Sequence, residues 1–290
     1  MNLEGLLTVL VDGLAYGMLL FLFSIGLSIT LGLMRFINLA HGAFAMCGGY
    51  LMVVLVGSFG LPFLAALPVA FVATGLVGAV LERSLITHLY RKSELQHVLF
   101  SIGLAFVAGA LANILFGPQQ QPIPLPEWAS ARVELLGTWT TGYRVFVMAA
   151  GIVALVLLLA LFHRTLFGAR VRAAVDLRGT AESIGINVSR LFALTFGLGA
   201  ACAGLGGALA VGFLGLDPSF PLKYLVIVLM VVAIGGPGSI VGSFVAALFL
   251  GTADALFKYY LPAVGSFVIY ALLVLSMVFL PHGLTRRRAA

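Results

Sequence analysis

The chain has 290 residues, of which 62% are hydrophobic and 9% charged, with a formal net charge of +6. An ordinary soluble domain carries roughly 25% charged residues, so this composition excludes a soluble enzyme or binding module. The positive excess marks one side of a membrane rather than a nucleic-acid surface, because basic residues collect in the connections on the cytoplasmic side.

Forty-six residues between Arg35 and Glu82 carry no charge, and similar runs cover 13–34, 95–126, 191–216, 224–253 and 259–285. A hydrocarbon core about 30 Å thick needs roughly 20 apolar residues of helix to cross it. The expected fold class is therefore all-α, a polytopic membrane protein with about eight to nine transmembrane helices and one or two broken or re-entrant segments. Residues 1–290 read as one transmembrane domain.

The N-terminus opens Met1-Asn2-Leu3-Glu4 and has no Lys or Arg before Arg35. It lacks the basic region of a signal peptide, so the first helix is expected to stay in the protein. Membrane segments are expected at 8–33, 38–57, 62–82, 98–116, 144–163, 191–213, 222–235, 240–260 and 263–281. Most of the 35 glycines lie inside these segments, where small residues let helix backbones approach. Cys47 and Cys202 read as small buried hydrophobes without metal or disulfide spacing.

After the first segment, Asn38 and His41 stand three apart and are expected to share a helix face. Two readings compete for them. One is a satisfied hydrogen bond, or an interfacial position beside Arg35; the other is a place on a solute path, where polar residues face a cavity. Residues 117–143 hold Pro118, Pro122, Pro124, Pro126, Trp128 and Trp139, which reads as an outer loop anchored by aromatics.

The connection 164–190 carries Arg164, Arg170, Arg172, Arg178 and Arg190. A short surface helix is expected near Thr180–Ile184, stopped by Gly185. Asn187 and Ser189 both suit the N-cap of the helix that follows. Its arginines read either as ordinary anchoring on the positive side or as a docking knob for a cytoplasmic motor subunit. From Leu222 to Gly235 the segment is about 20 Å long as helix, too short for a full crossing. Gly235-Gly236-Pro237-Gly238-Ser239 then breaks it, since proline cannot continue a helix. A re-entrant pair entering and leaving on the outer side is the expectation there. Twelve Lys and Arg fall on one set of connections and four on the other. This places the N-terminus outside and the C-terminus in the cytoplasm of a bacterial or archaeal plasma membrane.

The candidate liners of a solute path, by position and polarity, are Asn38, His41, Asn113, Thr195, Gly236 and Ser239. There is no Gly-x-x-x-x-Gly-Lys-Ser/Thr run to hold ATP, and no His-Glu-x-x-His or Gly-x-Ser-x-Gly. Asp12 and Asp254 are the few ionisable residues that an ion-coupled carrier would use.

Five motifs then occur in order. They are Asn38-Leu39-Ala40-His41-Gly42; Glu82-Arg83 with Arg91; Glu182-Ser183-Ile184-Gly185-Ile186-Asn187-Val188 followed by Ala193-Leu194-Thr195-Phe196; Gly235-Gly236-Pro237-Gly238-Ser239-Ile240-Val241-Gly242; and Phe279-Leu280-Pro281-His282-Gly283-Leu284. Together they resemble the permease subunits of branched-chain amino acid ABC importers, and specifically the shorter permease of the pair. The resemblance implies a translocation subunit that is not an enzyme and binds no cofactor. It implies a second, different permease, two cytoplasmic ATPases holding ATP and Mg, and an extracytoplasmic binding protein, with no nucleic acid. Arg178, Thr180, Glu182, Gly185 and Arg190 would form the ATPase-coupling segment. Ala43 stands where relatives often carry an acid, which leaves the solute open among amino acids, urea, short amides and aromatic acids. The alternative is an ion-coupled secondary transporter or a channel for a small polar solute.

Overall fold

The first charge-free run forms one helix, α1 (Leu3–Met34), in a computed structural model that describes residues 3–34, 36–90, 92–135, 137–263, 265–279 and 283–284. Arg35, Arg91 and residues 280–282 and 286–288, on which parts of the charge and motif arguments rest, lie outside the described residues. The helices that follow are α2 (His41–Met52), continued by a π-helical turn over Val53–Ser58, α3 (Phe63–Ser84) and α4 (Glu94–Phe116). Next come the short α5 (Glu127–Ser130), strands β1 (Arg132–Leu135) and β2 (Thr138–Thr141), α6 (Gly142–Arg164), α7 (Leu166–Asp176) and α8 (Arg178–Ser183). The last are α9 (Val188–Leu214), α10 (Phe220–Lys223), α11 (Leu225–Gly235), α12 (Ile240–Tyr260) and α13 (Gly265–Phe279). Among the described residues seven helical segments are long and apolar enough to cross a membrane, and Phe220–Gly235 and Phe267–Ser276 are shorter apolar helices. This is an all-α polytopic membrane protein with one small hairpin.

Helix α1 is about 48 Å long and forms the axis. Helix α12 lies antiparallel along it: a methyl at Gly13 would sit 2.6 Å from the Thr252 Cα, and one at Gly17 would sit 2.9 Å from the Leu248 Cα. Near its far end, Gly32 of α1 touches Gly238. Helix α9 crosses α1 where Gly26 meets Gly199. Lipid offers apolar side chains no worse a solvent than the protein interior, so close backbone contact between small residues carries the association. A buried polar tie adds to it, since Ser243 Oγ donates to Ser28 Oγ at 2.9 Å and the Gly238 amide donates to the Ser28 carbonyl at 2.9 Å.

These contacts place the turn of the 222–260 region. The turn at Gly236–Ser239 lies level with Ser28 and Gly32, near the Met34 end of α1, and α12 returns from there to the level of Gly5, which touches Tyr259. Helix α12 therefore runs the length of α1, whereas α10–α11 starts inside the protein, and both limbs of the pair lie toward the Glu4 side of the turn. The deep interruptions lie elsewhere. Residues 36–40 are non-helical, with Phe36 and Ala40 fully buried, and α2 starts inside the protein with His41 against Gly26. Helix α10 also starts inside, with the Phe220 ring 5.6 Å from that of Phe23. The two starts meet, because a methyl at Gly42 would lie 2.9 Å from the Pro221 Cα. Irregular backbone at this depth is tolerated where surrounding protein satisfies it.

Segment 117–143 is also more ordered than a loop. Strands β1 and β2 pair antiparallel with Arg132 opposite Thr141, around Gly137 at φ +77°. The β-branched Thr138, Thr140 and Thr141 favour the strand, and Thr138 Oγ1 meets Thr8 Oγ1 at 2.5 Å. Trp139 is exposed, whereas Trp128 packs on Phe146 at 5.1 Å between ring centres.

Candidate translocation pathway and coupling surface

Asn38 and His41 do not share a helix face as the spacing suggested, since Asn38 precedes the helix. The Asn38 Oδ1 accepts the Ala40 amide at 3.1 Å, and the Asn38 carbonyl accepts the His41 amide at 3.3 Å. This local turn reverses the chain from α1 into α2. Both side chains are at most 2% exposed. Yet Asn38 Nδ2 and His41 Nε2 have no hydrogen-bond partner among the described residues. Buried polar atoms are ordinarily paired. Here two unpaired ones stand at the positive end of a helix that begins inside the bundle.

The other candidate liners are dispersed. Thr195 is buried, but its hydroxyl donates to the Leu191 carbonyl at 2.8 Å within its own helix. Asn113 is exposed near the C-terminal end of α4, on a surface depression shared with Asp217 and Lys223. Gly236, at φ +88°, and Ser239 belong to the turn at the opposite end of the bundle. Ser239 caps α12 by accepting the Gly242 amide at 3.0 Å. It also lines a cavity of about 290 Å³ with Leu33, His163 and Arg172.

Connection 164–190 folds into α7 and α8 with hydrogen-bonded ends. Thr165 caps α7, and Arg172 donates to the Phe162 carbonyl at the end of α6. The C-terminus of α8 carries a double closure: the Gly185 amide donates to Glu182 O at 3.0 Å and the Ile186 amide to Ala181 O at 3.0 Å. Gly185, at φ +85°, supplies the left-handed residue that this motif needs. Of the two expected caps for the next helix, Asn187 is used, accepting the Arg190 amide at 2.9 Å. The helix begins at Arg178, earlier than expected, and Arg178 pairs with Glu182 at 3.0 Å. Thr180, Gly185 and Arg190 are exposed, and so are Leu177 (65%) and Ile184 (71%).

The Met34 end gathers most of the sequence motifs. The Glu82 carboxylate accepts the Tyr90 hydroxyl at 2.7 Å. The Tyr90 ring lies 6.0 Å from Phe36 and 5.7 Å from Phe192, over which the Arg178 guanidinium sits at 5.7 Å. Burial first, and the Glu82 charge second, hold the Tyr90 hydroxyl well above the usual tyrosine range. Residues 283–284 close on the other side, with the Leu284 amide donating to Ile234 O at 2.7 Å.

At the Glu4 end lies a cavity of about 410 Å³ that the sequence did not announce. Arg144 meets Asp12 at 3.0 Å and Lys258 meets Asp254 at 2.7 Å. Asp12 and Asp254 were visible as ionisable residues in apolar helices. The spacing of Asp254 and Lys258, one helical turn apart, was the signal for their pair.

A bundle of glycine-packed apolar helices with interior helix starts and a capped projection at one end defines a multi-pass permease. Residues 9–277 match the family described as branched-chain amino acid transport system / permease component, and the chain belongs to that family. It is similar to the high-affinity branched-chain amino acid transport system permease protein LivH of Escherichia coli K12, 26% identical over 95% of this chain and 94% of the relative. It is also similar to BraD of Pseudomonas aeruginosa, a permease protein of a system with the same description, 27% identical over 96% and 95%. LivM of Escherichia coli K12, again a permease protein of that description, is 27% identical over 94% of this chain but only 69% of LivM. This chain thus matches the shorter kind of permease nearly end to end. No solved structure matches it.

Proposed function

We propose that this permease works in an ATP-driven importer that passes an amino acid, or a similar small polar solute, from an extracytoplasmic binding protein into the cytoplasm. Beside it stand a second, different permease, as the LivH and LivM names suggest, and two ATPase subunits holding ATP and Mg. The Met34 end faces the cytoplasm and the Glu4 end faces outward, following the basic residues Arg164, Arg170, Arg172, Arg178 and Arg190. Asn38 and His41 line the solute path through their unspent hydrogen-bonding atoms.

The observation that carries this reading is the α7–α8 projection, capped at both ends, which exposes Leu177 and Ile184 outside any membrane-spanning helix. Exposed apolar side chains on such a projection fit a protein partner. We take that partner to be an ATPase, with Arg178, Thr180, Glu182, Gly185 and Arg190 around the contact. Gly185→Val strains the left-handed cap by roughly 1–2 kcal/mol, and Ile184→Asp puts a charge into the contact. Both are expected to leave insertion intact while lowering receptor-stimulated ATP hydrolysis and uptake together. Wild-type coupling in both variants would sink the assignment. Sustained uphill uptake by the chain alone, without ATP, would favour the ion-coupled alternative.

A further inference from the structure

The cavity of about 290 Å³ at the Met34 end opens where α6 passes into α7 and the 236–239 turn starts α12. Ile29 and Leu33 of α1 supply apolar wall, and His163 and Arg172 supply the basic groups. Among the described residues no Asp or Glu lines it, and His163, Arg164, Arg170 and Arg172 form no ion pair. Arg172 spends one N–H on the Phe162 carbonyl and keeps further donors in its fork. The first turn of the 21-residue α12 lies in the same wall, and its positive end adds to the field. Fixed cations without a counter-ion attract an anion. The surroundings narrow its kind. His163 and Arg164 end the membrane-spanning α6, which puts the cavity at headgroup depth. Val241, on the cavity wall, begins a strip of exposed apolar residues along α12, continued one turn apart by Val245 and Phe249.

We propose that this cavity binds the headgroup phosphate of an anionic phospholipid, whose acyl chain lies along Val241, Val245 and Phe249. Basic pockets between membrane helices take lipid headgroups in this way. The volume stands at the low end of small-molecule sites, which begin at roughly 300 Å³, so it takes a headgroup and leaves the chains in the bilayer. A soluble phosphate would meet the same cations but gain nothing from the apolar strip, which favours the lipid. Bound there, the lipid ties the start of α12 to the start of connection 164–190. The proposal goes beyond the import reading and stands without it.

Its test reads lipid identity at Val241. With Cys47 and Cys202 changed to Ala, Val241→Cys carries a bimane label in the nanodisc-embedded complex, whose other subunits are freed of accessible thiols. Brominated acyl chains quench the label where they touch it. At equal mole fraction, brominated phosphatidylglycerol is expected to occupy the site about fivefold more than brominated phosphatidylcholine, the preference that one basic side chain gives an anionic headgroup. Both nanodisc leaflets have the same composition, so the result does not depend on which end faces the cytoplasm. Arg172→Gln is expected to make the two lipids equal, and Arg172→Lys, which keeps the charge, to retain most of the difference. Arg170→Gln, exposed on α7 but outside the cavity wall, is expected to retain it in full. Equal quenching by both lipids without these changes overturns the proposal, and so does no quenching by either, which would mean that another subunit covers the cavity. Equal losses in Arg170→Gln and Arg172→Gln would show a diffuse surface attraction, and loss in Arg172→Lys would reduce Arg172 to its tie with Phe162; each overturns it. Glycerophosphoglycerol, the headgroup without chains, is expected to leave the quenching in place. Relief of quenching by it would assign the cavity to a soluble phosphodiester and overturn the lipid assignment.

Discussion

Asn38 and His41 differ from Thr195 in how their polar atoms are used. Thr195 spends its hydroxyl on its own helix, whereas Asn38 Nδ2 and His41 Nε2 are buried without a hydrogen-bond partner among the described residues. A buried unsatisfied atom costs about 1–3 kcal/mol, so removing His41 Nε2 offsets the loss of the ring's bond to the Phe23 backbone. His41→Leu is therefore expected to change the apparent unfolding free energy of the purified permease by no more than about 1 kcal/mol, while uptake falls steeply. A large loss of stability, or retained uptake, would make His41 a structural residue. Polar residues in a charge-free run pointed to this pair from the sequence. Their unpaired state was not legible, because it depends on a chain reversal at 36–40 that no glycine or proline announces. The Asp12–Arg144 pair was hidden for a related reason: its members lie on helices far apart in sequence and only the bundle brings them together.

Among the elements, the long helices were legible because bilayer thickness fixes their length and lipid demands apolar faces. What failed were the places where one apolar run contains two structures. Segment 38–57 reads as a single crossing, yet it holds the end of a buried non-helical turn, a helix that starts in the interior and a π-helical ending. The Gly235–Ser239 motif was legible as a break, whereas its place beside α1 was not, since that follows from Gly238 bonding Ser28. That packing gives Gly236 a specific burden. At φ +88° and ψ 132° it holds a backbone that side chains with a Cβ resist, at a cost of about 1–3 kcal/mol, and Gly283 lies directly against it. Gly236→Val is expected to lower apparent stability by that amount and to reduce transport with insertion unchanged. Unaltered melting of the purified variant would show that the turn tolerates a side chain and is an ordinary connection.

For the whole molecule, the two ends of the bundle carry different chemistry, and the assignment of sides rests on that difference. The Met34 end bears the basic α7–α8 projection and the Glu82–Tyr90 cluster; the Glu4 end bears the hairpin and the mixed-charge cavity. Basic residues are held on the cytoplasmic side during insertion, so Thr180 in α8 should face the cell interior and Glu134 in β1 the exterior. With Cys47 and Cys202 changed to Ala, Thr180→Cys and Glu134→Cys each offer one exposed thiol at opposite ends. A membrane-impermeant maleimide added to intact spheroplasts is expected to label Glu134→Cys at once and Thr180→Cys only after lysis. The reverse pattern would put α8 where no ATPase operates and would turn the charged cavity toward the cytoplasm. Coupling through α8 would then fall, because it depends on that choice of side.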